Sequence, residues 1–346
     1  MSQNKRQGWA FARGSRHVLG SVAAAAIACL AWPAAAMADT RYQLVDLGLD
    51  SVANSIGPSG EIAGSPDYYH AGIYRDGQWH MMSAGEQVVA INANGDAVGI
   101  ATYIDDGGKP YFYPAGGGEP LRLDEPFQTD LMPVSGISAD GLIFGMGYKG
   151  TKGTALCVLW RNFVPEVLDT GKHQCWSTGI NPAGQLAGTI TVNEKDPHYA
   201  AFLMTNGVMK RTGIPSGFSS TFATGINASG HLSVLAERHV HHKNAPHHGA
   251  FFDGTTIHDL GTFDGTGNST ADAISDLDEV VGLAHDADGE EHLYIWRGAG
   301  LVALEPLVDG AKGWHLGTPT AISASGVITG SGTFQRRGHA YMLVPK

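Results

Sequence analysis

The chain has 346 residues, with 22 Lys and Arg against 33 Asp and Glu, a formal net charge of −11. That length can bury a sizeable core, as one large all-β domain or two ordinary ones. The acidic balance argues against nucleic acid and anionic lipid as partners, because a negative surface repels phosphate.

Lys5, Arg6, Arg13 and Arg16 open the chain with positive charge, an apolar run follows from Val18 to Trp32, and Pro33 breaks it before Ala36-Met37-Ala38. This order predicts a cleaved signal peptide over residues 1–38, with residues 39–346 as a single repeat domain. The expected location is outside the cytoplasm, either periplasmic or extracellular. The apolar run is too short and Ala-rich to span a membrane, and no comparable run follows, so no transmembrane segment is expected in the mature chain. Loss of the four bases leaves 18 basic against 33 acidic residues, a net of −15. Cys29 leaves with the same segment. Cys157 and Cys175 remain, and in an oxidising compartment they can pair, closing a loop that contributes about 3 kcal/mol. Two separate buried thiols are the alternative.

The 48 glycines recur in register. Ile91-Asn92-Ala93-Asn94-Gly95, Ile180-Asn181-Pro182-Ala183-Gly184 and Ile226-Asn227-Ala228-Ser229-Gly230 are the clearest copies. Weaker copies run from Ile56 to Gly60, Ile137 to Gly141 and Ile322 to Gly326, and after Ile274 an aspartate, Asp278, takes the glycine place. The isoleucines stand 35, 46, 43, 46, 48 and 48 residues apart. Units of this length match one four-stranded propeller blade each. Each unit reads as two hairpins. The first turns at the Asn/Ser-x-x-Gly element, and the second turns after an aromatic-rich strand, as at Asp76-Gly77, Asn206-Gly207 and Asp253-Gly254. No stretch of the mature chain shows helical periodicity.

The ends complete the pattern. The seventh unit runs through His339-Ala340-Tyr341-Met342-Leu343 and lacks a fourth strand, while Tyr42-Gln43-Leu44-Val45-Asp46-Leu47-Gly48 has the look of that strand. The expectation is an all-β fold, a closed β-propeller of about seven four-stranded blades, in which the N-terminal strand completes the last blade and removes exposed edges. An open solenoid would want atypical caps at both ends.

The Ile-Asn-x-x-Gly-x-x-x-Gly element, the His-Ala-aromatic strand at His339 and the Asp-Leu-Gly strand at Asp46 and Asp259 resemble the HAF repeat of bacterial extracellular proteins. His70 and His292 keep the register, His198 and His248 fall early, and units two and three have no equivalent histidine. The resemblance covers residues 41–346. It implies export and a β-repeat fold, and no particular activity.

Unit five holds His239, His241, His242, His247 and His248, a candidate site for a divalent transition metal such as Zn²⁺, Cu²⁺ or Ni²⁺, and otherwise a solvated loop. The recurrent histidine opening the aromatic strand reads as structural, its ring nitrogens tied to a neighbouring blade's backbone or hydroxyls, since a packing device is needed in every blade. Asp276-Leu277-Asp278-Glu279 and Asp286-Ala287-Asp288-Gly289-Glu290-Glu291 read as acidic turns, because the twelve-residue calcium spacing is absent. No His-Glu-x-x-His, Gly-x-Ser-x-Gly or Gly-x-x-x-x-Gly-Lys-Ser/Thr occurs. The function expected is therefore an exported monomeric binding module with a glycan, polymer or protein ligand. The alternative is a propeller enzyme, a glycoside hydrolase or lyase, with two carboxyl groups about 5–10 Å apart in the central funnel.

Overall fold

Short apolar runs punctuated by glycine turns give antiparallel hairpins, and the computed structural model shows how they assemble. It describes residues 40–101, 108–127, 133–150, 153–192, 198–238 and 246–346, so the segment read as a signal peptide lies outside the described residues. The strands form seven sheets, six of them four-stranded meanders in plain sequence order. The first strands of the seven are Val52–Ile56, Gln87–Ile91, Val134–Ile137, Cys175–Ile180, Ser220–Ile226, Ala273–Ile274 and Trp314–Ile322, each ending on the repeat isoleucine. Each blade contacts the next, and the seventh contacts the first, closing a seven-bladed β-propeller. The 35-residue spacing of the first unit is a complete blade, built from strands of four and five residues.

Closure runs through the chain's two distant ends. Tyr42–Leu49 pairs antiparallel with Arg337–Pro345, from Tyr42 opposite Pro345 to Leu49 opposite His339. This sheet has a fifth strand that the repeat pattern does not contain, Val308–Asp309, parallel to Tyr42 and Gln43. A 3₁₀ turn at Glu305–Leu307, with Pro306 inside it, precedes that pair. Asp309 then accepts from both Arg41 and Lys346 Nζ, the latter at 2.7 Å.

The core is divided among the junctions. One cluster joins blades three and four through Phe144, Cys157, Cys175 and Phe202, another joins four and five through Ala187, Leu203, Val234 and Phe252, and the remaining junctions each have their own. Full burial of one such side chain is worth about 1.5–3 kcal/mol, so every junction carries a share of the stability. The second glycine of the repeat serves this packing. A Cβ on Gly188 would stand 2.5 Å from Trp176 O and 2.8 Å from the Phe202 ring, so the aromatic of the third strand lies flat over a bare backbone. Blade five reverses the sizes, with Val234 opposite Ala250 where blade four has Gly188 opposite Phe202.

Candidate functional site

The seven first strands line a central channel of about 890 Å³. In six of them the register slips by one residue just before the isoleucine, at Asn54, Val89, Ser135, Thr178, Thr224 and Thr320. Such bulges re-aim side chains, and these six residues line the channel together with Asp272, which holds the same place in blade six. Four of the seven hold blades together, Ser135 through the hydroxyl of Ser177 in blade four and three others through backbone carbonyls. Asn54 Nδ2 donates to Val88 O, Thr178 Oγ1 to Ala223 O and Thr224 Oγ1 to Ala271 O, each reaching the following blade. The next position is small, and a Cβ on Gly179 or Gly225 would meet the Cγ2 of Ile226 or Ile274 at 3.1 and 3.4 Å. Apart from Asp272 and Asp276, the channel wall is therefore aliphatic and neutral-polar, made by seven strands at close approach.

The mouth is formed by the repeat turns. Asn227 Oδ1 accepts the backbone N–H groups of Ser229 and His231, closing its own turn, while its Nδ2 donates to Ser275 O of blade six. Asn181 reaches Asn227 O and Asn92 reaches Ser138 O in the same way. The motif asparagine is thus a turn cap and a blade tie in one residue. Serine at this place keeps only the cap: Ser275 Oγ accepts from Leu277 and Glu279, and Ser323 Oγ from Val327. Asp278 takes the positive φ of a glycine, 62°, and its carboxylate receives Asn227 Nδ2 at 2.7 Å and His231 Nδ1 at 2.8 Å. Aspartate tolerates that backbone better than most residues, and these bonds account for it there.

Asp272 differs from the rest of the ring. Thr270 Oγ1 donates to its Oδ2 at 2.7 Å. Burial pushes its carboxyl up to about 6, against the Thr270 bond, and the charge of Glu291 acts in the same direction as burial. Asp276, at the mouth of the same blade, accepts the backbone N–H of Ala228.

The candidate metal ligands separate. His239, His241 and His242 lie outside the described residues. His248 Nδ1 is 2.9 Å from Asp259 Oδ1, and its ring packs on Phe218. His247 lies beside it on the strand His247–Phe252. Among the described residues no group of three or more His, Cys, Asp or Glu converges as a metal site. The recurrent histidines have carboxylate partners where backbone or hydroxyl partners were expected. His339 pairs with Asp46, His70 with Asp67 and His292 with Asp286, in each case a carboxylate at 2.9 to 3.0 Å. Asp46 and Asp259 also accept the N–H of Gly48 and Gly261, so the Asp-Leu-Gly strand and the His-Ala strand are two halves of one contact. Burial works to raise Asp259, but His248 and the Gly261 N–H outweigh it and hold the carboxyl below its ordinary value. Neither motif by itself displays this pairing, though both are visible in sequence. Cys157 and Cys175 form a disulfide between blades three and four, with Cα atoms 5.3 Å apart.

No protein-family model matches this chain, and no curated protein matches it in sequence. Solved structures match it in shape. The β-propeller domain of the trilobed protease from Pyrococcus furiosus, described as having an open velcro topology, superposes with a TM-score of 0.55 at 9% identity, over 88% of this chain and 95% of that one. The acylaminoacyl peptidase of Pyrococcus horikoshii superposes with a TM-score of 0.55 at 10% identity, over 86% of this chain and 51% of that one. A prolyl endopeptidase gives 0.53 at 13% identity, over 82% of this chain and 46% of that one. This chain thus spans about half of each of those two peptidases. At such identities the likeness is one of fold.

Proposed function

We propose that this chain is an exported propeller that acts as a binding module and presents the turn-lined mouth of its central channel to a glycan, polymer or protein ligand. The observation that carries this reading is the channel wall itself. Seven equivalent strands supply hydroxyls, amides and aliphatic carbons around an opening of about 890 Å³, a volume of the size that ligand sites have. Export is supported by the signal-like N-terminus and by the disulfide Cys157–Cys175, a bond that persists in oxidising compartments. A hydrolase or lyase working in the same channel would draw its carboxyl pair from Asp272 and Asp276, the two carboxylates in the lining, which come from one blade.

The test is a glycan and peptide array with the mature protein, repeated with Ala93→Trp and Ala228→Trp, which add bulk at exposed positions of the mouth. A ligand retained by the parent and lost in both variants is the expected result. Retention indifferent to the plugs places binding elsewhere and overturns the reading. Cleavage of an array member that Asp272→Asn abolishes would establish the enzyme in its place.

A further inference from the structure

The ring made by the six bulge residues and Asp272 has one anion in it. Asn54, Ser135, Thr178, Thr224 and Thr320 each make a side-chain hydrogen bond within the protein, and Val89 is aliphatic. Three of them bridge blades to the carbonyls of Val88, Ala223 and Ala271, three residues before each isoleucine, and Ser135 bridges to the hydroxyl of Ser177 at the equivalent place. The corresponding carbonyl in blade seven is that of Pro319, and an ionised carboxylate has no proton to give it. Asp272 Oδ2 receives Thr270 Oγ1, and among the described residues no donor reaches its Oδ1. Glu291 acts on it electrically, as do the phenols of Tyr294 and Tyr341, and among the described residues no cation pairs with it. The lining around it mixes neutral hydroxyls and amides with aliphatic carbons, the seven repeat isoleucines among them.

From this arrangement, and resting on the channel as the binding face, we propose that the channel takes a primary ammonium on an aliphatic stem, such as a lysine side chain, and that Asp272 is the carboxylate that receives it. An ammonium supplies the donors and the charge that Asp272 lacks, and the methylene stem lies along the repeat isoleucines as lysine stems do on apolar surfaces. As the one anion of the ring, Asp272 also makes blade six unlike the others and so fixes the ligand's orientation. The coupling to protons has a definite sign. The carboxyl must be ionised to hold the ammonium, so affinity falls as pH drops through about 6, whereas the amine stays charged over that range, its own pKa being about 10. Binding in that window therefore releases a proton.

Hexylamine and 1-hexanol are suitable probes, titrated calorimetrically into the mature protein at a pH of about 7.5, where Asp272 is ionised. The amine is expected to bind at least about tenfold more tightly than the alcohol. Asp272→Asn should erase that preference, Asp288→Asn in an exposed turn of the same blade should leave it, and heats measured in two buffers near pH 6 should reveal the released proton. Thermal melts of both variants confirm that they fold. Equal binding of amine and alcohol, or an amine preference that survives Asp272→Asn, overturns the proposal. So does a folded Asp272→Asn protein that melts higher with its amine affinity intact, which would make Asp272 a protonated blade tie. An array ligand that is plugged by the mouth tryptophans yet is neutral or anionic overturns this inference and leaves the channel reading standing. Failure of the plugs overturns the channel reading itself.

Discussion

Two kinds of junction hold this ring. Between blades two and three, four and five, and five and six, the motif asparagine reaches across to a backbone carbonyl of the following turn. The other junctions lack that asparagine and use ties from elsewhere. Blades one and two are joined by Asn54 Nδ2 and Ser55 Oγ to the carbonyls of Val88 and Val89. Blades three and four have the disulfide Cys157–Cys175. Blade six reaches the closing strand through Arg297, which donates to Tyr42 Oη at 3.0 Å and to Glu279 Oε1 at 2.7 Å. Blade one reaches it through Trp79 Nε1 to Leu47 O. The tie is present where the repeat keeps its asparagine and absent where serine or glycine stands in its place, because only the amide has a donor long enough to reach the next turn. Where the repeat degenerates or the chain ends meet, an unrelated bond takes over the same task.

The comparison can be broken most strongly at the closing strand. Tyr42 is fully buried and also accepts the Arg297 guanidinium bond, so Tyr42→Ala should cost about 3–5 kcal/mol, read as a lowered denaturation midpoint. Tyr42→Phe keeps the ring and loses the bond, and about 1 kcal/mol is expected. If the two variants are equally stable, the closing strand contributes little and the ring is held by its repeats alone. The disulfide junction comes next. Cys157→Ala with Cys175→Ala releases a loop with a sequence separation of 18, for which the chain-entropy estimate is about 3 kcal/mol. A melting temperature unchanged by reductant would show that the cluster around Phe144 and Phe202 suffices at that junction. The smallest effect belongs to the asparagine. Asn227→Ser retains a turn cap, as Ser275 does, and loses the donor to Ser275 O, for about 1 kcal/mol. Asn227→Ala loses both functions, and about 2 kcal/mol is expected from the added loss of the cap. Equal stability of the serine variant and the parent would reduce the motif asparagine to a turn residue.

Much of the architecture is local in origin and was therefore readable. Positive φ at the end of each repeat turn (glycine in six blades and Asp278 in blade six), the paired hairpins and the length of a blade follow from residues within one unit, and the orphan strand at Tyr42 announces its vacancy beside His339. The site was less legible. Asp272 is one acid among 33 in the sequence, and nothing in Ala271-Asp272-Ala273 marks it out. It becomes singular when seven strands are placed side by side and it falls in line with the six bulge residues of the others, which is a property of the ring. The His248–Asp259 and His339–Asp46 pairs are of the same kind, two motifs each visible alone and joined only by strand register. The fifth strand at Val308–Asp309 has no repeat pattern at all, because its partner Tyr42 lies at the other end of the chain. Turn chemistry and hydrophobic period are set by neighbours along the chain, so the sequence determined the blades. Which side chains meet between blades depends on contacts tens to hundreds of residues apart, and only the closed tertiary structure decided those.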